Sequence, residues 1–170
     1  MRSVLAVGVR PGGIETGCAA TPAAHRAAGD KVTMLLLAEH GPAAEFAART
    51  LDCLPVKAPV DVPAIETVIT GVDADVIYVH APDDDDPAHR EATSATPSAA
   101  RHGSRVLHYP GPSTLRFEPS VFVDVTAHLD RKLAVVADPE VAQASARHFG
   151  ALARVTYAEA FAPTRFVWDL

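Results

Sequence analysis

Cysteine, long apolar runs and clustered cations are the three things this sequence of 170 residues has least of. Its two cysteines, Cys18 and Cys53, lie far apart and form no CxxC pair. That excludes a disulfide framework or a thiolate zinc site and fits reduced thiols in a cytosolic protein. No apolar run approaches the ~18 residues of a membrane span, so no membrane partner is expected. Met1-Arg2-Ser3-Val4-Leu5 leads into a short apolar strand and then Gly and Pro, without the h-region and small-residue cleavage site of a secretory signal. A cytoplasmic location is expected. The 15 Lys and Arg are scattered against 21 Asp and Glu, for a net charge of −6. A nucleic acid needs clustered cations, so it is excluded as a partner. The longest charge run is acidic, Asp83-Asp84-Asp85-Asp86. It reads first as a solvated loop and second as a cation site.

What the sequence does have is 48 % hydrophobic and 21 % charged residues, the balance of a globular protein, at a length that suits one domain over 1–170. Residues 4–9 form a β-rich run followed by Arg10-Pro11-Gly12-Gly13, a loop signal. Residues 17–28 are Ala-rich and predict a helix, with Pro22 near its first turn and Gly29 at its end. Residues 32–37 are continuously apolar, as in a strand buried on both faces. Strand, loop, helix, strand opens a parallel sheet. Further helices are expected over 43–50, 64–71, 88–102 (kinked by Pro97), 127–137 and 140–150. Further strands are expected over 53–56, 75–80, 105–109 and 121–125, with 155–168 as an irregular tail. The fold class is α/β, a three-layer Rossmann-like sandwich with a mainly parallel sheet. A ligand is then expected outside the carboxyl ends of the strands, at the loops 10–16, 39–42 and 81–89.

Four blocks carry a family likeness. Residues 7–18, VGVRPGGIETGC, resemble the signature VGAHPDDIELGC of the LmbE-like (PIG-L) zinc N-deacetylases, and residues 80–90, HAPDDDDPAHR, resemble its HxPxDxHPDHR. Residues 111–126 resemble a strand-and-loop segment of that family, and 157–163, YAEAFAP, its C-terminal AEAF motif. The resemblance implies the LmbE-like fold and metal-assisted amide hydrolysis, typically of an N-acetylated sugar. In that chemistry two His and one Asp hold zinc, a neighbouring Asp is general base, and a further His stabilises the oxyanion. Position by position, the first ligand His falls on Arg10, the base on Gly12, the ligand Asp on Gly13 and the oxyanion His on Asp86. The last ligand His is retained as His89. Glycine has no donor atom, and one imidazole cannot hold a zinc that needs three ligands. A guanidinium at ~4 Å would repel a dication by roughly 8 kcal/mol at an effective dielectric of ~20. No metal is therefore expected as a cofactor, and with no GxGxxG no dinucleotide either. The family's longer Arg- and Glu-rich segment between the second strand and Asp75 is also shortened here.

Candidate catalytic residues are Asp86, His89 and Glu15, since two carboxylates with an imidazole support acid/base chemistry without a metal. Candidate ligand-binding residues are Arg10, Gly12, Gly13, His40, His80 and Glu159. Arg10 either pairs internally, with Asp86 or Glu15, or holds a ligand anion. Gly12-Gly13 is either a permissive turn or an anion nest. Three functions stay open: a repurposed metal-independent catalyst for a small polar or amide-bearing metabolite, a non-catalytic binding protein that uses Arg10, and a hydrolase with a metal relocated to His40, His80, the acidic run and His89. Homo-oligomerisation also stays open.

Overall fold

The computed structural model describes residues 1–38, 41–103 and 105–167. β1 (Ser3–Gly8) and β2 (Lys31–Leu36) read as continuous apolar runs because both faces of each are covered, with five of six residues buried in each strand. After β1 the chain turns into α1 (Gly13–Cys18) and α2 (Ala20–Ala27). These replace the single helix expected over 17–28. Pro22 has no N–H to offer the carbonyl of Cys18, so the helix breaks at Ala19.

α3 (Pro42–Leu51), β3 (Leu54–Lys57), α4 (Val62–Val72), β4 (Val76–His80), α5 (Pro87–Ala99) and β5 (Arg105–Tyr109) follow. Then come β6 (Val121–Asp124), α6 (Leu129–Leu133), α7 (Pro139–Ala153) and β7 (Ala158–Arg165). Among the described residues the seven-stranded sheet runs β3-β2-β1-β4-β5-β7-β6, with β1 to β5 mutually parallel and β7 antiparallel to both of its neighbours. One apolar cluster lies under α1, α2 and α3 and a second under α4 and α5, which makes three layers.

The segment 155–168 is not an irregular tail. Within it, β7 is inserted between β5 and β6, which buries Ala158, Glu159, Ala160 and Phe161 in succession and erases the alternation that marks a half-exposed strand. Pro163 is accommodated where the β5–β7 register shifts. Only 129–133 of the expected 127–137 helix is helical. No helix among the described residues is long and apolar enough to cross a membrane.

Strand order reverses between β1 and β4. Their carboxyl ends are the switch point at which open α/β sheets bind ligands. α1 is pressed close to this edge through Gly17, where a Cβ would collide with the ring of fully buried Tyr109. That ring is fixed by its hydroxyl, which donates to the Val7 carbonyl at 2.7 Å. Helix propensity favours alanine over glycine by about 1 kcal/mol, but overpacking a fixed ring costs about 1–3 kcal/mol. With the ring held this close the cost falls in the upper part of that range, so Gly17→Ala is expected to lose about 1–2 kcal/mol net in urea unfolding. An unchanged midpoint would mean that α1 can slide away from Tyr109.

A candidate active site at the carboxyl ends of β1 and β4

The first wall of the site is the loop after β1. Gly12 sits at φ 94°, a left-handed conformation that lets the chain turn into α1. Its amide donates to a carboxylate oxygen of Glu15 at 2.9 Å, and the Gly13 amide donates to the Arg10 carbonyl at 3.2 Å. Both amides are therefore engaged within the loop, and Gly12-Gly13 is a turn rather than an anion nest. Glu15, expected as a catalytic carboxylate, is only 2 % exposed and caps the start of α1 by accepting that Gly12 amide. Burial raises its pKa against the backbone hydrogen bonds that lower it.

The second wall is the acidic loop after β4. Asp84 is buried rather than solvated. One of its oxygens accepts from the Asp86 amide at 2.9 Å and lies 3.1 Å from His89 Nδ1, and the other accepts from the Thr114 hydroxyl at 3.1 Å. Burial alone would raise its pKa; hydrogen bonds from Ser113 and the Asp86 amide, with the charge of His89, outweigh it and hold the carboxyl below its ordinary value. An ionised Asp84 makes Nδ1 of His89 the protonated nitrogen, which leaves Nε2 as the basic one. Main-chain bonds from Asp85 to Ser113 and from Leu115 to Asp83 zip this loop to 111–115, bringing the Ser113 hydroxyl to 3.3 Å from the same Nδ1.

Asp86 is the N-cap of α5, accepting from the Ala88 amide at 2.9 Å, and it receives Arg10 Nη1 at 2.5 Å. That is the first of the two carboxylates expected for Arg10. The Ala88 amide first, and the Arg10 guanidinium against a small burial effect, hold Asp86 below the usual carboxylate range. His89 Nε2 lies 3.9 Å from Asp86. Arg10, the two glycines, His89, Pro11, Pro112 and Ser113 line an open cleft of about 390 Å³. The Arg10 side chain is 49 % exposed there.

His80, at the end of β4, is 1 % exposed and stacks on His89 with ring centroids 3.8 Å apart. Neither of its ring nitrogens has a hydrogen-bond partner among the described residues. Its edge lies 3.0–3.2 Å from where a Cβ on Gly13 would be. Burial, and next the charge of His89, push its pKa down to about 3 from 6.5. An imidazole that protonates near 6.5 when unfolded but not when folded leaves stability whole above that pH. Stability is then lost at about 1.4 kcal/mol per unit as pH falls from ~6.5 toward ~3. By pH 5 the loss is about 2 kcal/mol, and His108, also lowered by burial, adds to it with the same sign. Urea unfolding at pH 7 and pH 5 is expected to show this drop, and His80→Leu to flatten most of it. An unaltered slope in the variant would assign the effect elsewhere.

Glu159, expected at the cleft rim, lies in the core instead. Its carboxylate accepts from the Ala20 and Thr21 amides and from Lys132 Nζ at 2.7 Å. Ala19, at the start of α2, offers no side-chain cap, and Glu159 takes over that work. His40 lies outside the described residues. Among the described residues no group of three or more His, Cys, Asp or Glu is placed to hold a metal ion.

Asp84 was expected only within the acidic run as a relocated-metal ligand, not as the partner of His89, and Ser113 was not expected at the site at all. Asp84 had a signal, since it stands in the second matched motif five residues before His89. Ser113 had none, because only the loop pairing brings it there.

No protein-family model and no curated protein matches the chain. Solved structures do. A conserved protein of Thermus thermophilus has a TM-score of 0.86 at 22 % identity, covering 100 % of this chain and 98 % of its own. The 4-carboxy-2-hydroxymuconate hydratase GalB of Pseudomonas putida also has 0.86, at 17 % identity, with both chains fully covered. The N,N'-diacetylchitobiose deacetylase of Pyrococcus horikoshii has 0.73 at 14 % identity, covering 96 % of this chain and 84 % of its own. At these identities the likeness shows the fold: the chain has the fold of the LmbE-like deacetylases, a mainly parallel seven-stranded sheet between helices.

Proposed function

We propose that this chain catalyses, without a metal ion, the addition of water to a small polar or amide-bearing metabolite. His89 is the general base and acid, and Arg10 holds an anionic group of the substrate. The observation that carries this reading is the Asp84–His89 pair. A buried carboxylate orients the imidazole through Nδ1 and leaves Nε2 to take a proton from water. Hydration and deacetylation both consume water, and solved structures with this fold include a hydratase and deacetylases. The carboxylated substrate in the hydratase's name supports an anion on Arg10.

The residues do not fit the three-ligand zinc site that the sequence resemblance implies. Arg10 brings a cation to the cleft, Gly12 and Gly13 bring no donor, and the His80 ring fills the space beside Gly13. A second reading, a non-catalytic binder of small anions, is favoured by one observation. Glu15 is buried and Asp86 is occupied by Arg10, so a single imidazole is left for proton transfer.

The test is elemental analysis of the purified protein, together with turnover of a panel of small N-acyl amides and unsaturated carboxylates with and without chelator. The expected result is far less than one zinc per chain and turnover that survives chelation. About one zinc per chain, or activity abolished by the chelator, overturns the metal-independent reading. Arg10-dependent anion binding without turnover overturns the catalytic one.

A further inference from the structure

A second, mainly apolar opening lies at the other end of the sheet. Between α2 and the amino ends of β4 and β5 is a cavity of about 390 Å³, within the size range of small-molecule sites. It exists because α2 presents Thr21 and Ala24 here, side chains too short to reach the sheet, with Ala28 just past the helix at the rim. Val76 and Leu107 line it from the strands, and Val121 and Val123 from β6. Four ring-bearing residues border it, His25, Tyr78, Phe122 and Phe166.

Its polar groups fall into two kinds. His25 is fully engaged: Nδ1 lies 2.8 Å from Asp30 and Nε2 2.9 Å from the Tyr78 hydroxyl, so the chain Asp30–His25–Tyr78 is a fixed edge. The Thr21 hydroxyl is the opposite case. Its residue is completely buried and lines the cavity, and its oxygen has no hydrogen-bond partner among the described residues. A buried hydroxyl without a partner is costly, and a ligand atom in the cavity would relieve that cost. At the rim stands Arg2. Its main-chain amide donates to Asp30, and no hydrogen bond of its guanidinium is found among the described residues. The carboxylate facing the cavity, Asp30, already accepts from His25 and from that amide, so the rim favours an added negative charge.

We propose that this cavity is a second ligand site, distinct from the cleft at Arg10 and His89, and that it takes an aromatic monocarboxylate. The ring lies against Tyr78 and the strand valines, the carboxylate meets Arg2, and a polar substituent or carboxylate oxygen satisfies the Thr21 hydroxyl. An aliphatic ligand would forgo the contacts with the bordering rings.

The probe is benzoate, titrated calorimetrically against the full chain, with benzyl alcohol as its uncharged counterpart. Saturable binding of one benzoate per chain is expected. Arg2→Ala should weaken it about tenfold to a hundredfold, the usual weight of a charge-assisted hydrogen bond. Ala24→Phe fills the cavity without removing a core side chain and should abolish binding while leaving Tm the same or higher. Thr21→Val should weaken binding and raise Tm, because it removes the unpartnered hydroxyl at constant shape. Arg10→Ala, which removes the cation of the other cleft, should leave benzoate binding unchanged and so separates the two sites. No saturable binding, or binding indifferent to Ala24→Phe, overturns the site. Binding lost with Ala24→Phe but equal for benzoate and benzyl alcohol overturns the carboxylate assignment.

Discussion

Lys132→Met is expected to lower the stability of the fold by about 3–5 kcal/mol, a fall of roughly 6–20 °C in Tm for a chain of this size. Lys132 is 3 % exposed and Glu159 2 %. Nζ lies 2.7 Å from a Glu159 oxygen and 3.4 Å from the Gly17 carbonyl. The same carboxylate receives the Ala20 and Thr21 amides, so it joins α6, β7 and the start of α2 at one buried point. Methionine matches the lysine stem in volume, so the loss would come from the carboxylate stranded without its cation and not from a cavity. Pairing the change with Glu159→Gln removes the stranded charge while keeping an oxygen for the amides. The double variant should therefore recover much of the loss, and that recovery is the measurable signature of a coupled pair. A single variant costing under about 1 kcal/mol would mean that Lys132 contributes packing alone.

The strand-by-strand layout was legible because each parallel strand here is a short, continuous apolar run. Residues 4–9, 32–37, 75–80 and 105–109 read as strands and lie within a residue or so of β1, β2, β4 and β5. β7 was not legible. A strand buried on four successive residues and carrying a proline shows neither alternation nor an apolar run. The site was half legible. Sequence places Arg10 and the acidic run at strand ends, and the loop after β4 folds back so that Asp86 meets Arg10. It cannot say which of four consecutive aspartates turns inward. That is decided by the zipping of 81–86 against 111–115, contacts about 30 residues apart that bury Asp84 and leave Asp83 and Asp85 outside. Glu159 misled for the same reason in reverse. Its motif matched, but Lys132, whose partnership holds it in the core, carries no local sign of burial in LDRKL.

For the catalytic reading, His89→Ala should cut the rate of the reaction the protein performs by about 10² to 10⁴, the usual weight of a general acid or base. His89 sits one turn into α5 at the cleft edge, so its loss should change stability far less than the rate. Asp84→Asn should approach the same rate loss by another route. Asp84 does not face the cleft; it holds Nδ1–H of His89 and so keeps Nε2 basic. Asparagine turns an amide NH₂ toward donors that now meet an oxygen, so this variant should also lose about 1–3 kcal/mol of stability. Stability tells these roles apart: Asp84→Asn should lose rate and stability together, whereas His89→Ala should lose mainly rate. Asp86→Asn is the contrasting case. Asparagine caps α5 as well as aspartate does, so the helix start survives while Arg10 loses its ionic partner. Its rate loss should be smaller than that of His89→Ala, with anion binding at Arg10 tightened instead. Full turnover in His89→Ala, or in Asp84→Asn, would remove the pair from the mechanism and leave the cleft as a binding site for small anions.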